Sequence, residues 1–159
     1  MVGEIQVREL PEQLVFSWRG KVRVSEIPAK MGEVYGKIFP YLMRQGVGFA
    51  GPPFAIYYEM PQGDAPMDME VGVPVTKEVP ATEDMSTHPL PGGTVAATVY
   101  QGPYDEIGPA YDEVMNWVAS HGYEPSGAPR EAYLNSPDEV KSPAEYLTEV
   151  VFPVKKKAA

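Results

Sequence analysis

A glutamate set among apolar residues is the feature of this sequence best suited to a binding or catalytic site. Glu149 lies between Leu147 and Val150 in an otherwise apolar stretch, so both faces of its segment are expected to be buried. A buried carboxylate is costly unless it is paired, hydrogen-bonded or matched by a ligand. Glu149 is therefore either a structural residue bonded to tyrosine hydroxyls or to Arg130, or the acidic anchor of a ligand site.

Aromatic residues could complete such a site, since a cation held by a carboxylate also gains roughly 0.5–2 kcal/mol from each aromatic face that it contacts. Most of the candidates are aromatic side chains on expected helices or sheet strands, and one is a methionine. They are Tyr133, Tyr57, Trp117, Tyr41, Phe39, Tyr111 and Met115. Ordinary core packing explains the same residues nearly as well.

Several other chemistries find no support in the sequence. The chain has no cysteine, and its two histidines, His88 and His121, lack further ligands at metal-site spacing. The serines lie in no nucleophile-elbow context, and the glycines Gly92 and Gly93 do not have phosphate-loop spacing. We expect neither a metal nor a cofactor.

Composition limits the partners further. The chain has 159 residues, 43% hydrophobic, with a formal net charge of -9. This charge has the wrong sign for direct binding to nucleic acid. There is no signal-peptide pattern and no apolar run long enough to span a membrane, so a cytoplasmic protein without membrane contact is expected. A protein partner or a homodimer stays open.

An internal repeat indicates how these residues are positioned. Residues 31–59 superpose without a gap on residues 107–135, with identical glycines, prolines and tyrosines at turn and aromatic positions, among them Tyr57 with Tyr133. Residues 67–75 then match residues 146–154 and pair Glu70 with Glu149. Glu70 alternates with apolar neighbours on a strand whose other face is polar or small, so a solvated position is expected for it.

Each half predicts a strand, a helix and two strands. In the second half the strands are expected at residues 94–101, 130–135 and 146–154, with a helix that begins at an Asp105 N-cap and ends at Gly122. In the first half the strands are expected at residues 14–22, 54–60 and 67–75. Its helix, near residues 25–45, contains Pro40, which should kink it or force a local rearrangement.

The predicted fold class is α+β, with duplicated strand-helix-strand-strand units forming an antiparallel sheet of about eight strands, two helices and a central ligand groove. Residues 1–154 are expected to form one domain. The first repeat covers about residues 5–75, a linker covers 76–92 and the second repeat covers about 93–154. Residues 5–9 can pair as part of a first hairpin, and residues 155–159 form a basic tail.

Six short runs carry a resemblance to a known family. They are GPPFAIYY (51–58), MEVGVPV (69–75), LPGGTV (90–95), QGPYD (101–105), REAYLN (130–135) and LTEV (147–150). Together they resemble the GyrI-like family, the effector-binding domains of multidrug-sensing regulators and their stand-alone relatives, over roughly residues 5–154. The resemblance implies the same duplicated fold.

The resemblance also implies three alternative functions. The first is binding of lipophilic, often cationic aromatic compounds in the central groove, with Glu149 matching a glutamate on the last strand. The second is hydrolysis of cyclopropane-bearing DNA-alkylating natural products, with Glu149 and Tyr133 as the matching catalytic candidates. The third is a protein-binding inhibitor of gyrase. The chain lacks the helix-turn-helix of the regulators, so direct action as a transcription factor is not expected.

Overall fold

The computed structural model describes residues 2–59, 62–135 and 139–157. The chain forms two compact units: Glu12–Pro91, called the first unit below, and Met1–Pro11 with Gly92–Ala159, called the second unit. Nine β-strands and two α-helices are found in the described part of the chain. The predicted α+β class with antiparallel strands and two helices is confirmed.

The first unit has one helix and four strands. These are β2 (Gln13–Val22), α1 (Ile27–Gln45), β3 (Phe54–Tyr57), β4 (Met67–Pro74) and β5 (Met85–Leu90). The strands are antiparallel neighbours in the order β3-β4-β2-β5. Strand β5 lies inside the segment 76–92 that the sequence predicted to be a linker, and it forms the edge next to β2.

Helix α1 packs on this sheet through an apolar stripe. Its buried residues Val34, Ile38 and Leu42 follow each other at a spacing of four, which places them on one helix face. The helix is continuous through Pro40. It ends at Gly46, whose φ of 67° is the left-handed conformation that glycine adopts without strain at a helix C-terminus.

The second unit is built from both ends of the chain. Its elements are β1 (Gln6–Leu10), β6 (Gly93–Gln101), α2 (Gly108–Ser120), β7 (Tyr123–Pro125), β8 (Arg130–Tyr133) and β9 (Leu147–Lys156). The antiparallel order is β1-β6-β9-β8, and β7 pairs with the end of β9. The predicted first hairpin is wrong, because β1 pairs with β6. The predicted tail is shortened, because Lys155 and Lys156 belong to β9.

Helix α2 covers one face of the second unit's sheet. Val114 and Val118 pack with Val150 and Phe152 of β9 in one buried cluster. The predicted Asp105 N-cap is wrong: a short 3-10 turn, Tyr104–Glu106, precedes α2, and no side chain caps the helix start.

Neither α-helix in the described residues is both long and apolar enough to cross a membrane. The predicted single domain over residues 1–154 and its central groove stay predictions.

Candidate functional site

Glu149 lies on the sheet face of the second unit that points away from α2. On β9 it is directly opposite Val99 of β6 and Ala132 of β8, whereas the α2-facing residues Val150 and Phe152 alternate with it. Its carboxylate forms an ion pair with Arg8 of β1 at 2.9 Å, and the two side chains are 20% and 41% exposed. The expectation that both faces around Glu149 are buried is therefore wrong.

The same register separates Glu149 from Tyr133. Tyr133 is opposite Thr148, and neighbouring residues of a strand point to opposite faces. Tyr133 consequently lies on the α2-facing side and Glu149 on the other side. The structure does not bring these two residues together on one face of the sheet, and their catalytic roles stay predictions.

A different glutamate, Glu131, lies beside Tyr133. Both alternate on β8, so they share the α2-facing side of the sheet. Glu131 is 7% exposed. Its carboxylate accepts a hydrogen bond from the hydroxyl of Tyr133 at 2.9 Å and another from Tyr111, which reaches down from α2. We call Glu131, Tyr111 and Tyr133 the Glu131 cluster.

The charge of Glu131 is poorly compensated. Desolvation by burial raises the pKa of its carboxyl, and the hydrogen bonds from Tyr111 and Tyr133 offset this only in part. None of the described lysines, arginines and histidines forms an ion pair with it. A cation that entered this site would remove the cost of burying the carboxylate.

Further aromatic rings extend the Glu131 cluster. The ring of Tyr104, in the 3-10 turn before α2, contacts Tyr133 edge-on at 5.7 Å and stacks on Tyr146 at 4.5 Å between centroids. Tyr104 is 39% exposed. Burial raises its hydroxyl pKa, so it is a neutral aromatic wall with one accessible face.

The first unit contains a second buried carboxylate, Glu70, which is 1% exposed. The expected solvated position of Glu70 is therefore wrong. On β4 it is opposite Arg19 of β2, on the face away from α1. It accepts hydrogen bonds from the hydroxyls of Ser17 at 2.5 Å and Tyr58 at 2.6 Å, and it lies 2.5 Å from Nε2 of His88 on β5.

A cavity of about 680 Å³ adjoins Glu70 and is lined by β2, β4 and residues 81–91. Its size falls in the range of small-molecule pockets. Its charges, however, are largely matched within the protein. Glu70 faces His88, and Arg19 forms two hydrogen bonds with Asp68, at 2.8 and 3.2 Å, which hold the pKa of Asp68 below its usual value. Arg19 also lies 3.8 Å above the ring of Tyr58.

The other predicted site residues have identifiable neighbours. Trp117 stacks on His121 at 4.0 Å, and Met115 is 43% exposed on α2. In the first unit the hydroxyl of Tyr41 donates to the Pro80 carbonyl at 2.6 Å. Phe39 stacks on Tyr35 at 5.6 Å, and Tyr57 lies on β3 opposite Met69, on the side of α1. Their roles as ligand contacts stay predictions.

Sequence reasoning missed Glu131. The internal repeat rests on identical residues. At its spacing of 76, Glu131 corresponds to Ala55, so the repeat does not mark Glu131. A usable signal was present nonetheless. Alternation along residues 130–133 places Glu131 and Tyr133 on one face, and an acidic side chain beside a tyrosine on an otherwise buried strand indicates a satisfied buried carboxylate.

Comparison with known proteins shows which family the chain matches. A family model described as "GyrI-like small molecule binding domain" matches residues 3–155. The crystal structure of the EcmrR C-terminal domain has a TM-score of 0.81 and 26% identity over 98% of this chain and 99% of that domain. The EcmrR chain in the EcmrR–DNA complex is similar as well, with a TM-score of 0.80 and 26% identity. The match covers 98% of this chain but only 58% of the EcmrR chain.

Two more distant structures show the fold alone. SAV2435 bound to tetraphenylphosphonium has a TM-score of 0.61 at 13% identity, over 96% of this chain and 94% of that one. A hydrolase encoded by lin2189 from Listeria innocua has a TM-score of 0.66 at 13% identity, over 96% and 92%. No curated protein sequence matches the chain.

Proposed function

The chain belongs to the GyrI-like small molecule binding domain family, and from this membership we propose that it binds lipophilic aromatic cations next to Glu131. The observation that carries the proposal is the uncompensated charge of Glu131, which is 7% exposed and, among the described residues, accepts hydrogen bonds from tyrosine hydroxyls without an ion-pair partner. A buried ion without a counter-ion is strongly unfavourable. A ligand cation supplies that counter-ion.

The aromatic rings support the same ligand class. The ring of Tyr104 contacts the rings of both Tyr133 and Tyr146. A cation over each accessible ring face gains roughly 0.5–2 kcal/mol. Lipophilic cations satisfy both features, because their charge is spread over a large apolar surface and is cheap to remove from water. SAV2435, of similar fold, is a protein with one such cation bound.

The cavity at Glu70 fits this ligand class less well. Glu70 already faces His88 and accepts two hydroxyl hydrogen bonds, so a ligand cation would compete with existing partners. Glu149 is likewise paired, with Arg8. The sequence-based assignment of Glu149 as the anchor stays a prediction that the same experiment tests.

The experiment is a titration of the protein with rhodamine 6G and with tetraphenylphosphonium, followed by fluorescence anisotropy and calorimetry. We expect micromolar, salt-sensitive binding that Glu131→Gln weakens at least tenfold, about 1.4 kcal/mol. Glu149→Gln is the matched control, since it removes the same charge from the opposite sheet face, and it should change the affinity less than twofold. The reverse ranking would identify Glu149 as the anchor, and binding insensitive to both substitutions would refute the cation site.

Hydrolysis of cyclopropane-bearing alkylating compounds is a second candidate function. Its support is the Glu131–Tyr133 hydrogen bond of 2.9 Å beside a carboxyl of raised pKa, a combination typical of acid–base sites. Water would form a bond to the cyclopropane carbon while the ring bond breaks toward the dienone. The dienone oxygen would take a proton from Tyr133 and become a phenol. Glu131 would take the proton that the attacking water loses and pass it to the Tyr133 oxygen, which restores both side chains.

Mass spectrometry of a spirocyclopropyl dienone incubated with the protein tests this function. Turnover should disappear in Glu131→Gln and fall in Tyr133→Phe, while Glu149→Gln keeps it. The absence of any water adduct from the wild-type protein would rule the hydrolase out. The gyrase-inhibitor alternative rests on the family resemblance, is compatible with the net charge of -9, and predicts a gyrase complex in a pull-down.

A further inference from the structure

Thr148 carries a buried hydroxyl that has no hydrogen-bond partner in the part of the chain that the structure describes. The residue is 0% exposed. Its Oγ1 is the buried side-chain polar atom without a hydrogen-bond partner among the residues that the structure describes. Valine has nearly the same shape and no hydroxyl, so it would fill this position without an unsatisfied group. The buried hydroxyl therefore destabilises the ligand-free protein, and a hydrogen bond to a ligand would remove this penalty.

The position of Thr148 suggests that role. On β9 it is directly opposite Tyr100 of β6 and Tyr133 of β8, and it shares their α2-facing side. Glu131 is opposite Val150, two residues further along β9. Diagonal neighbours of this kind lie roughly 7–8 Å apart across a strand pair. The Glu131 carboxylate and the Thr148 hydroxyl therefore lie within the span of one aromatic molecule of ordinary size.

We propose that Thr148 is a specificity-determining contact, which selects aromatic cations carrying an N–H, hydroxyl or carbonyl group over cations that have no hydrogen-bonding atom. This inference rests on the proposed binding site at Glu131. A threonine hydroxyl both donates and accepts, so either polarity of ligand group satisfies it. Tyr133 is partly exposed and lies opposite Thr148 across the strand pair, so it is the side chain between solvent and this part of the strand pair.

Two probe cations separate this inference from simple charge recognition. Ethidium carries two aromatic amino groups, whereas tetraphenylphosphonium has no hydrogen-bonding atom. Thr148→Val removes the hydroxyl and keeps the shape. We expect it to weaken ethidium binding roughly three- to tenfold, the range of one net hydrogen bond, and to leave tetraphenylphosphonium binding within twofold. Thr148→Ser keeps the hydroxyl and should retain the preference for ethidium, which provides a second variant if the valine protein is poorly folded.

The outcomes assign failure to one proposal or the other. Equal effects of Thr148→Val on both cations, no effect on either, or loss of the preference in Thr148→Ser would overturn the role of Thr148. Glu131→Gln should weaken both cations alike. A normal response to Glu131→Gln together with an unselective Thr148→Val leaves the proposed function standing without this refinement. If the wild-type protein binds neither cation, both proposals fall.

Discussion

Replacing Glu70 by glutamine should destabilise the protein far more than the same replacement at Glu149. The two residues are matched by the internal repeat, and each lies on the sheet face away from its own unit's helix. Glu70 is nevertheless 1% exposed with three partners, whereas the Glu149 side chain is 20% exposed with one. The two variants therefore show how burial and the number of hydrogen-bond partners change the stability lost when the same glutamate is replaced by glutamine.

The magnitude follows from the hydrogen bonds of Glu70. One carboxylate oxygen accepts from Ser17 and faces His88, and the other accepts from Tyr58. Glutamine keeps one acceptor oxygen and places an amide N–H₂ group where the second carboxylate oxygen was. At least one of the donors therefore loses its acceptor, and His88 no longer faces a carboxylate. Hydrogen bonds to charged groups are worth roughly 1.5–3 kcal/mol each. We expect a loss of about 3 kcal/mol, or roughly 6–12 °C in Tm for a chain of this length.

For Glu149→Gln the expected loss is below about 1 kcal/mol, because an exposed ion pair such as Arg8–Glu149 contributes little in water. Urea unfolding followed by fluorescence and circular dichroism measures both variants. The two tryptophans report on different units, Trp18 on the first and Trp117 on the second. If the units unfold separately, Glu70→Gln should shift the transition seen by Trp18. A loss at Glu70 no larger than at Glu149 would refute the argument from burial.

Three further predictions concern the Glu131 cluster and one close backbone contact. Cation affinity should fall up to tenfold per pH unit below the raised pKa of Glu131, because only the ionised form attracts the ligand, and titrations of Glu131→Gln should be flat in the same range. Since the folded-state pKa of Glu131 is raised, the stability it contributes is present at low pH and is lost as the pH rises through that pKa; urea midpoints of the wild type should therefore decline relative to Glu131→Gln as the pH rises from the ordinary glutamate pKa toward the raised folded-state pKa. Gly72→Ala should cost more than about 2 kcal/mol in urea unfolding, because its Cβ would lie 2.6 Å from the Phe16 carbonyl oxygen, whereas Gly36→Ala, with nothing within 4 Å on α1, should stabilise by roughly 0.5–1 kcal/mol.

Local sequence patterns were sufficient for most of the secondary structure. The 3.6-residue period of Val34, Ile38 and Leu42 and the glycine at position 46 define α1 and its end. Both signals depend on residues within one or two helical turns of each other, so the local sequence is enough to predict the helix and its end. The start of α2 was predicted wrongly because Pro103 leads into a 3-10 turn. Asp105 lies inside that turn and makes no side-chain cap.

Strand pairing was harder to predict, because partners are far apart in sequence. Strand β1 lies next to β2 in the chain, yet it pairs with β6 across more than eighty residues. Strand β5 contains Pro89 and lies between Pro80 and Pro91, which made it resemble a linker. The hydrogen bonds of β2 to its edge partner are what make this segment a strand.

The sequence by itself determined that the chain is an α+β protein of the GyrI-like family, with acidic and aromatic residues on its strands. It also singled out Glu149 and, through the internal repeat, Glu70, but not Glu131. Only the tertiary structure decided how each one is used: Glu149 pairs with Arg8, Glu70 faces His88, and among the described residues Glu131 accepts hydrogen bonds only from tyrosine hydroxyls. The physical reason is that the charge state and cost of a carboxylate depend on what covers its face of the sheet. That cover comes from a helix or from strands distant in sequence, which no local spacing encodes.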